Sequence, residues 1–212
     1  ETEVIAGVKF ETGTPFADTP DEGVLMVASE FLPLASPEFE SGPPGEEAIE
    51  VSRLVDRAIR ESKLIDFKKL CITPKEKVWM MYVDIDVLDD DGNLIDAASL
   101  AAVAALMGAN IPDRDEEGEI IREKKGSQQL ELMGLPLSTT IAKISDRLLV
   151  DPNLSETQAL DARVTVGTFE KDGAVHLCSM QKGGFVGITE EELVQILELA
   201  ERKGKELRRL LE

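Results

Sequence analysis

The segment of residues 77–107 limits the possible folds most, because it joins a long strand pattern to a helix pattern through a tight turn. Residues 77–88 are rich in valine, methionine and isoleucine and predict a long β-strand. Residues 89–93, Asp-Asp-Asp-Gly-Asn, are typical of a turn that ends a strand. The alanine-rich residues 94–107 predict a helix that packs closely against its neighbours. We expect this helix to be nearly wholly buried and to end at Gly108.

Two further helices are predicted from apolar residues at helical spacing. Residues 46–62 carry an apolar stripe, with glutamates in the first turn, where the helix dipole favours anions. The last helix begins at a capping box formed by Thr189 and Glu192, and its apolar stripe reaches Leu211. Residues 112–127 are charged and interrupted by glycine, and predict an exposed loop or short hairpin. Strands are expected at 2–10, 23–32, 139–144, 147–150, 162–169 and 174–180. This order of elements predicts an α+β or mixed α/β fold.

Composition limits the partners that the chain can bind. The 212 residues, 42% of them hydrophobic, suffice for a sizeable core in one large domain or two closely packed halves. A net charge of −19 repels a polyanion from most of the surface, so the isolated chain should bind RNA weakly. Cys71 and Cys178 lie far apart without a metal-binding spacing, which favours free thiols over a disulfide or a zinc site. We expect neither metal nor cofactor, and a cytoplasmic protein without a membrane span.

Arg53, Arg57 and Arg60 are candidate phosphate-binding residues. They lie at positions i, i+4 and i+7, and therefore line one stripe of the predicted helix 46–62. Three guanidinium groups in a row suit contacts with phosphates. The residue pattern alone favours the alternative, in which ion pairs within the helix hold these side chains, each pair worth about 0.3 kcal/mol. The candidate pairs are Glu50–Arg53, Asp56–Arg60 and Arg57–Glu61.

Four segments of the chain resemble the RNase PH family. They are the helix 50–63, the loop 29–37, the strand, turn and helix of 83–100, and the run Met180-Gln-Lys-Gly-Gly184. Within the family, the chain is most similar to the non-catalytic ring subunits of archaeal exosomes. The resemblance implies an α+β fold of the RNase PH-like βαβα type (ribosomal protein S5 domain 2-like), with mixed sheets packed on helices. It also implies two related halves, 1–110 and 111–212, the first of which is expected to lack its N-terminal part.

The resemblance implies a function without catalysis by this chain. Glu46-Glu47 stands where active members carry two arginines, and would repel phosphate. Asp151 matches the first of two catalytic aspartates, but Thr157 falls near the second, and residues 137–141 do not resemble the phosphate-binding loop. We therefore expect no catalytic residue. The alternatives are an active phosphorolytic 3′-5′ exoribonuclease and an acidic protein-binding domain unrelated to RNA.

The partners are also expected from the resemblance. Such subunits form heterodimers with a catalytic RNase PH-like exosome subunit, and three heterodimers make a hexameric ring capped by proteins with S1 or KH domains. Single-stranded RNA passes through the ring and is degraded or tailed at its 3′ end. The non-catalytic subunit structures its partner's active site and helps to bind RNA. The resemblance therefore favours RNA contacts for Arg53 and Arg57, and less firmly for Arg60.

Overall fold

The computed structural model describes residues 1–211, which form two four-stranded sheets, a two-stranded ribbon and four α-helices. The strands of the first sheet are β1 (Glu3–Gly13), β2 (Val24–Phe31), β3 (Cys71–Thr73) and β4 (Lys77–Asp89). The ribbon pairs β5 (Asn110–Ile111) with β6 (Gln128–Gln129). The second sheet contains β7 (Leu137–Ile144), β8 (Arg147–Val150), β9 (Ala162–Lys171) and β10 (Ala174–Gly184). The helices are α1 (Glu46–Glu61), α2 (Leu94–Met107), α3 (Leu154–Ala159) and α4 (Glu190–Arg208).

The first sheet is mixed and the second is antiparallel. In the first sheet, β4 lies between β1, which is antiparallel to it, and β2, which is parallel to it. In the second sheet the order is β10-β9-β7-β8. The turn between β9 and β10 has positive φ angles at Asp172 and Gly173, as a tight hairpin requires. The predicted strands and this hairpin are confirmed.

Helices α1 and α2 lie between the two sheets. Helix α1 contacts β2 and β10, and α2 contacts β1 and β7. Helix α4 covers the other face of the second sheet, where it contacts β7 and β9. Residues 137–143 of β7 are consequently buried without the alternation of a half-exposed strand. The centre of the second sheet is thus covered on both faces, while its edge strand β10 is largely exposed.

The helix predicted at 46–62 is confirmed as α1, and its sequence explains its position. Its apolar stripe is buried, with Val55 and Ile59 each only 1% exposed. Full burial of such a side chain contributes roughly 1.5–3 kcal/mol. Glu46 and Glu47 occupy the first turn and Arg60 the last, in accord with the helix dipole. The stripe anchors α1, which leaves its opposite side free to carry charge.

The expectation that α2 is nearly wholly buried is wrong. Its buried residues form one side of the helix, while Ala104 is exposed and Leu100 is half-buried. An alanine-rich helix has no distinct apolar stripe to indicate which side faces the core. The burial predicted from its sequence was therefore too high. Two polar residues, Asp96 and Ser99, are among the buried ones. The helix ends at Gly108, as predicted.

Helix α3 was missed by the sequence analysis. A capping box between Asn153 and Glu156 starts it, which is a signal visible in the sequence. Its six residues are too few for an apolar period, and no residue of it is buried. Across residues 1–211, no helix is both long and apolar enough to cross a membrane.

Candidate nucleic-acid interface

The three arginines of α1 lie on its exposed side but have different neighbours. Arg60 donates to Asp56 at 2.7 and 3.2 Å and to the carbonyl of Leu25 at 3.2 Å. Arg57 Nη1 lies 3.4 Å from Gln181 Oε1 on β10. Within the described part of the chain, Arg53 and Arg57 have no carboxylate partner. Arg53 and Arg57 are therefore available for contacts with a ligand, whereas Arg60 is held by Asp56 and by the carbonyl of Leu25.

Only one of the three ion pairs considered for this helix is formed. Asp56 pairs with Arg60, whereas Arg53 and Arg57 have no pair with Glu50 or Glu61 within residues 1–211. Glu50 instead binds Arg163 of β9, 113 residues away in sequence. Spacing within a helix cannot reveal such a distant competitor, which explains why the Glu50–Arg53 pair that was considered does not form. Because Glu50 pairs with Arg163 and Asp56 with Arg60, neither of these carboxylates of the helix is paired with Arg53.

The place expected for a catalytic site is acidic. A cleft of about 270 Å³ lies between α1, the start of α2 and α3. Its carboxylates come from Glu38, Glu47, Glu50 and Asp90, and its cation is Arg163, which is already paired with Glu50. Carboxylates in a partly enclosed cleft repel phosphate. The charge of this cleft is thus opposite to that needed for phosphorolysis.

Two backbone N–H groups of β7, those of Ser138 and Thr140, are occupied by side chains of α2. The N–H of Thr140 donates to Asp96 at 2.7 Å, and that of Ser138 donates to Ser99 Oγ at 3.0 Å. The Thr140 hydroxyl also donates to Asp96, at 2.8 Å, and lies 2.9 Å from the Thr165 hydroxyl. These contacts fix β7 against α2, and they leave neither of the two N–H groups free to bind a phosphate.

Asp96 is the polar residue of this region that the sequence analysis missed. Burial raises the pKa of its carboxyl group from 3.8 to about 6, although hydrogen bonds from Thr140 and Asn93 act in the opposite direction. The only signal in the sequence was a carboxylate in the first turn of an otherwise small and apolar helix. Its partner Thr140 lies 44 residues further on, a distance that no local pattern reports.

The two residues matched to catalytic aspartates do not form a carboxylate pair. Asp151 lies in a turn with φ 58° and accepts a hydrogen bond from the Asn93 amide at 2.9 Å. Thr157 lies on α3, where its hydroxyl is 3.5 Å from the carbonyl of Pro152. The described residues contain no cluster of three or more metal-ligating side chains.

Known proteins share both the sequence and the fold of this chain. Sequence profiles of the 3′ exoribonuclease family match residues 1–112 with domain 1 and residues 134–203 with domain 2. The exosome complex component Rrp42 of Methanosarcina acetivorans is 49% identical over 210 residues, which cover 99% of this chain and 75% of that protein. The Rrp42 of Thermoplasma acidophilum is also 49% identical, over 98% of this chain and 76% of its own length.

Solved structures give the same result. A chain of the Archaeoglobus fulgidus exosome with RNA bound to the active site has a TM-score of 0.90 and 42% identity, covering 100% of this chain and 80% of its own. A chain of an archaeal exosome core has a TM-score of 0.84 and 38% identity, and the match covers 99% of this chain and 77% of that chain.

Proposed function

Because the chain belongs to the RNase PH family of 3′ exoribonucleases, we propose that it is a non-catalytic subunit of an exosome ring. In this proposal it structures the active site of a catalytic RNase PH-like partner and binds RNA through Arg53 and Arg57. Arg60 belongs to the same stripe but contributes less, because Asp56 already neutralises it.

The observation that carries this proposal is the separation of charge between two parts of α1. Its exposed stripe offers two arginines without carboxylate partners among residues 1–211, while the cleft at its N-terminal end is lined by carboxylates. Phosphates are attracted to the first surface and repelled from the second. A chain of this kind can hold RNA but lacks the positive charge that phosphoryl transfer requires.

The relatives support the proposed assembly in that they are exosome components. We assign the chain to a hexameric ring of three heterodimers, in which it alternates with the catalytic subunit and is capped by proteins with S1 or KH domains. Single-stranded RNA passes through the ring, and the complex works in the cytoplasm. The halves 1–110 and 111–212 are proposed as the two RNase PH-like units. The strong negative charge of the isolated chain is consistent with RNA binding only at a local basic surface of an assembly.

A phosphorolysis assay tests the proposal. Labelled oligo(A) and inorganic phosphate are incubated with this protein, with a catalytic RNase PH-like subunit, and with both. We expect no nucleoside diphosphate from this protein alone and the highest rate from the mixture. Release by this protein alone would contradict the proposal and support a self-sufficient exoribonuclease. Failure of the two proteins to associate would support an acidic protein-binding domain instead.

A further inference from the structure

Strand β10 presents a polar side chain to α1 beside the arginine stripe. In the register of the second sheet, Gln181 pairs with Thr165, and Gly183 pairs with Arg163. The side chain of Arg163 points towards α1, because it contacts Glu50. That of Thr165 points towards α2, because it contacts the Thr140 hydroxyl, which itself donates to Asp96 of α2. Paired residues of neighbouring strands share a face. Gln181 therefore lies on the face that carries α1, which agrees with its contact with Arg57.

The contact with Arg57 orients the amide of Gln181. An arginine can only donate hydrogen bonds, so the oxygen of the amide must face it. The Gln181 nitrogen then points away from Arg57, and its two N–H groups have no acceptor among the described residues. Because Gln181 is half-buried, its side chain can adopt fewer conformations than a fully exposed glutamine can. The strand thus holds a pair of hydrogen-bond donors next to the arginines.

The neighbouring cation does not belong to this surface. Lys182 follows Gln181 directly, but alternation along the strand directs it to the opposite face. Its register partner, Val164, belongs to the core cluster beneath α4. Lys182 Nζ also donates to the carbonyl of Gly184 at 2.6 Å. Gln181 therefore extends the arginine stripe because its side chain lies on the face that carries α1. Lys182 is charged but lies on the opposite face.

We propose that Gln181 is a further RNA-binding residue, whose amide nitrogen donates a hydrogen bond to an oxygen of the sugar-phosphate backbone next to the phosphate held by Arg57. The inference rests on the proposed RNA contact of Arg53 and Arg57. It extends the RNA-binding surface from one helix to the junction of α1 and β10. Such an amide adds a directed hydrogen bond but no charge, which separates its effect from that of an arginine.

The test measures binding of fluorescein-labelled oligo(A) to the assembled ring at several salt concentrations. The variants are Gln181→Ala, Arg57→Ala and their combination, with Gln195→Ala on α4 as the matched control, since Gln195 is an exposed glutamine on the far side of the sheet. We expect Gln181→Ala to weaken binding by about threefold to tenfold, as for the removal of one hydrogen bond. Its salt dependence should equal that of the parent. Gln181→Glu, which places a carboxylate beside Arg57, should weaken binding more.

The outcomes separate this inference from the proposed function. Equal affinities of Gln181→Ala and Gln195→Ala would overturn the role of Gln181. If Gln181→Ala has no effect once Arg57 is alanine, the glutamine only positions the arginine, and the direct contact is also rejected. If Arg57→Ala binds as the parent does, the proposed RNA surface itself fails. Additive losses in the double variant support a contact made by each residue.

Discussion

The carboxylate of Asp96 accepts two hydrogen bonds from Thr140, one from the backbone nitrogen at 2.7 Å and one from the hydroxyl at 2.8 Å. Asp96 lies in the first turn of α2, and Thr140 lies in the middle of β7, so the contact joins elements from the two matched family domains. Both residues are buried. Removal of either partner would leave a buried polar group unsatisfied, which typically costs about 1–3 kcal/mol.

Asp96 should make stability depend on pH in an unusual direction. Burial raises its pKa in the folded state from 3.8 to about 6, so the folded protein binds more protons than the unfolded chain between these values. The stability that this group contributes is present below pH 4 and is lost as the pH rises through 6. Relative to Asp96→Asn, the parent should lose at most about 3 kcal/mol of unfolding free energy between pH 4 and 7.5.

Urea unfolding at several pH values measures this difference. Asp91→Asn provides the control, because Asp91 is an exposed carboxylate of the preceding turn. If the parent instead gains stability relative to Asp96→Asn as the pH rises, Asp96 is stabilised as a carboxylate, contrary to the expected burial effect.

Reversal of charge at Arg53 and Arg57 should weaken RNA binding without dissolving the ring. Both side chains are exposed and lack carboxylate partners in the described part of the chain, so their replacement should not affect folding. We expect Arg53→Glu/Arg57→Glu to lower affinity for oligo(A) by at least about tenfold at low salt. The slope of log affinity against log salt should become shallower by about 0.7 for each phosphate that the variant no longer neutralises.

The matched control changes the same net charge elsewhere. Arg202→Glu/Arg209→Glu alters two exposed arginines at the C-terminal end of α4, on the far side of the second sheet. Size-exclusion chromatography with the partner subunit checks assembly, and fluorescence anisotropy measures affinity. Equal losses of affinity in the two double variants would mean that only the overall charge matters and that the α1 arginines form no specific surface.

Restoring arginines at the start of α1 should not create an enzyme. Glu46→Arg/Glu47→Arg supplies positive charge at the cleft, but the N–H groups of Ser138 and Thr140 remain bound to α2. We expect no release of nucleoside diphosphate from oligo(A) and phosphate by this variant alone. Detectable phosphorolysis would mean that charge at these two positions is the only element missing. Circular dichroism should accompany the assay, since losing acidic residues from the first helix turn costs about 0.3–1 kcal/mol each.

A side chain at Gly183 should lower the stability of the protein. A Cβ atom there would lie 3.0 Å from Cζ of Arg163 and would displace the guanidinium group that binds Glu50. We expect Gly183→Ala to lower the free energy of unfolding by roughly 1 kcal/mol, as is common for destabilising substitutions. Gly187→Ala is the control, because nothing lies within 4 Å of its Cβ position. Urea unfolding that gives equal stabilities for the two variants would contradict the assigned packing.

Local patterns predicted much of the fold. Helical spacing and capping located α1 and α4, and the hairpin turn located the junction of β9 and β10. The family resemblance drawn from the sequence is confirmed by the two matched domain profiles and by the exosome structures. The short helix α3 and the true exposure of α2 were missed, because neither has a distinct apolar period.

The electrostatic details of the candidate site could not be predicted in the same way. Glu50 was matched to Arg53 from their spacing, yet Arg163 is its partner across the fold. Arg57 meets Gln181 across a separation of 124 residues. Side-chain pairing is decided by which elements the fold brings together, and local sequence contains no information on that choice.

The buried side and the exposed side of helix α1 have separate roles and share no residue. Its buried stripe holds the two sheets together, while Arg53 and Arg57 stand on the solvent side. Changes to the arginines therefore leave the packing intact, and changes to the packing residues do not alter the charge. Selection can therefore adjust how strongly the proposed RNA-binding surface attracts a polyanion, for example at a new growth temperature or salinity, without altering the fold of the chain.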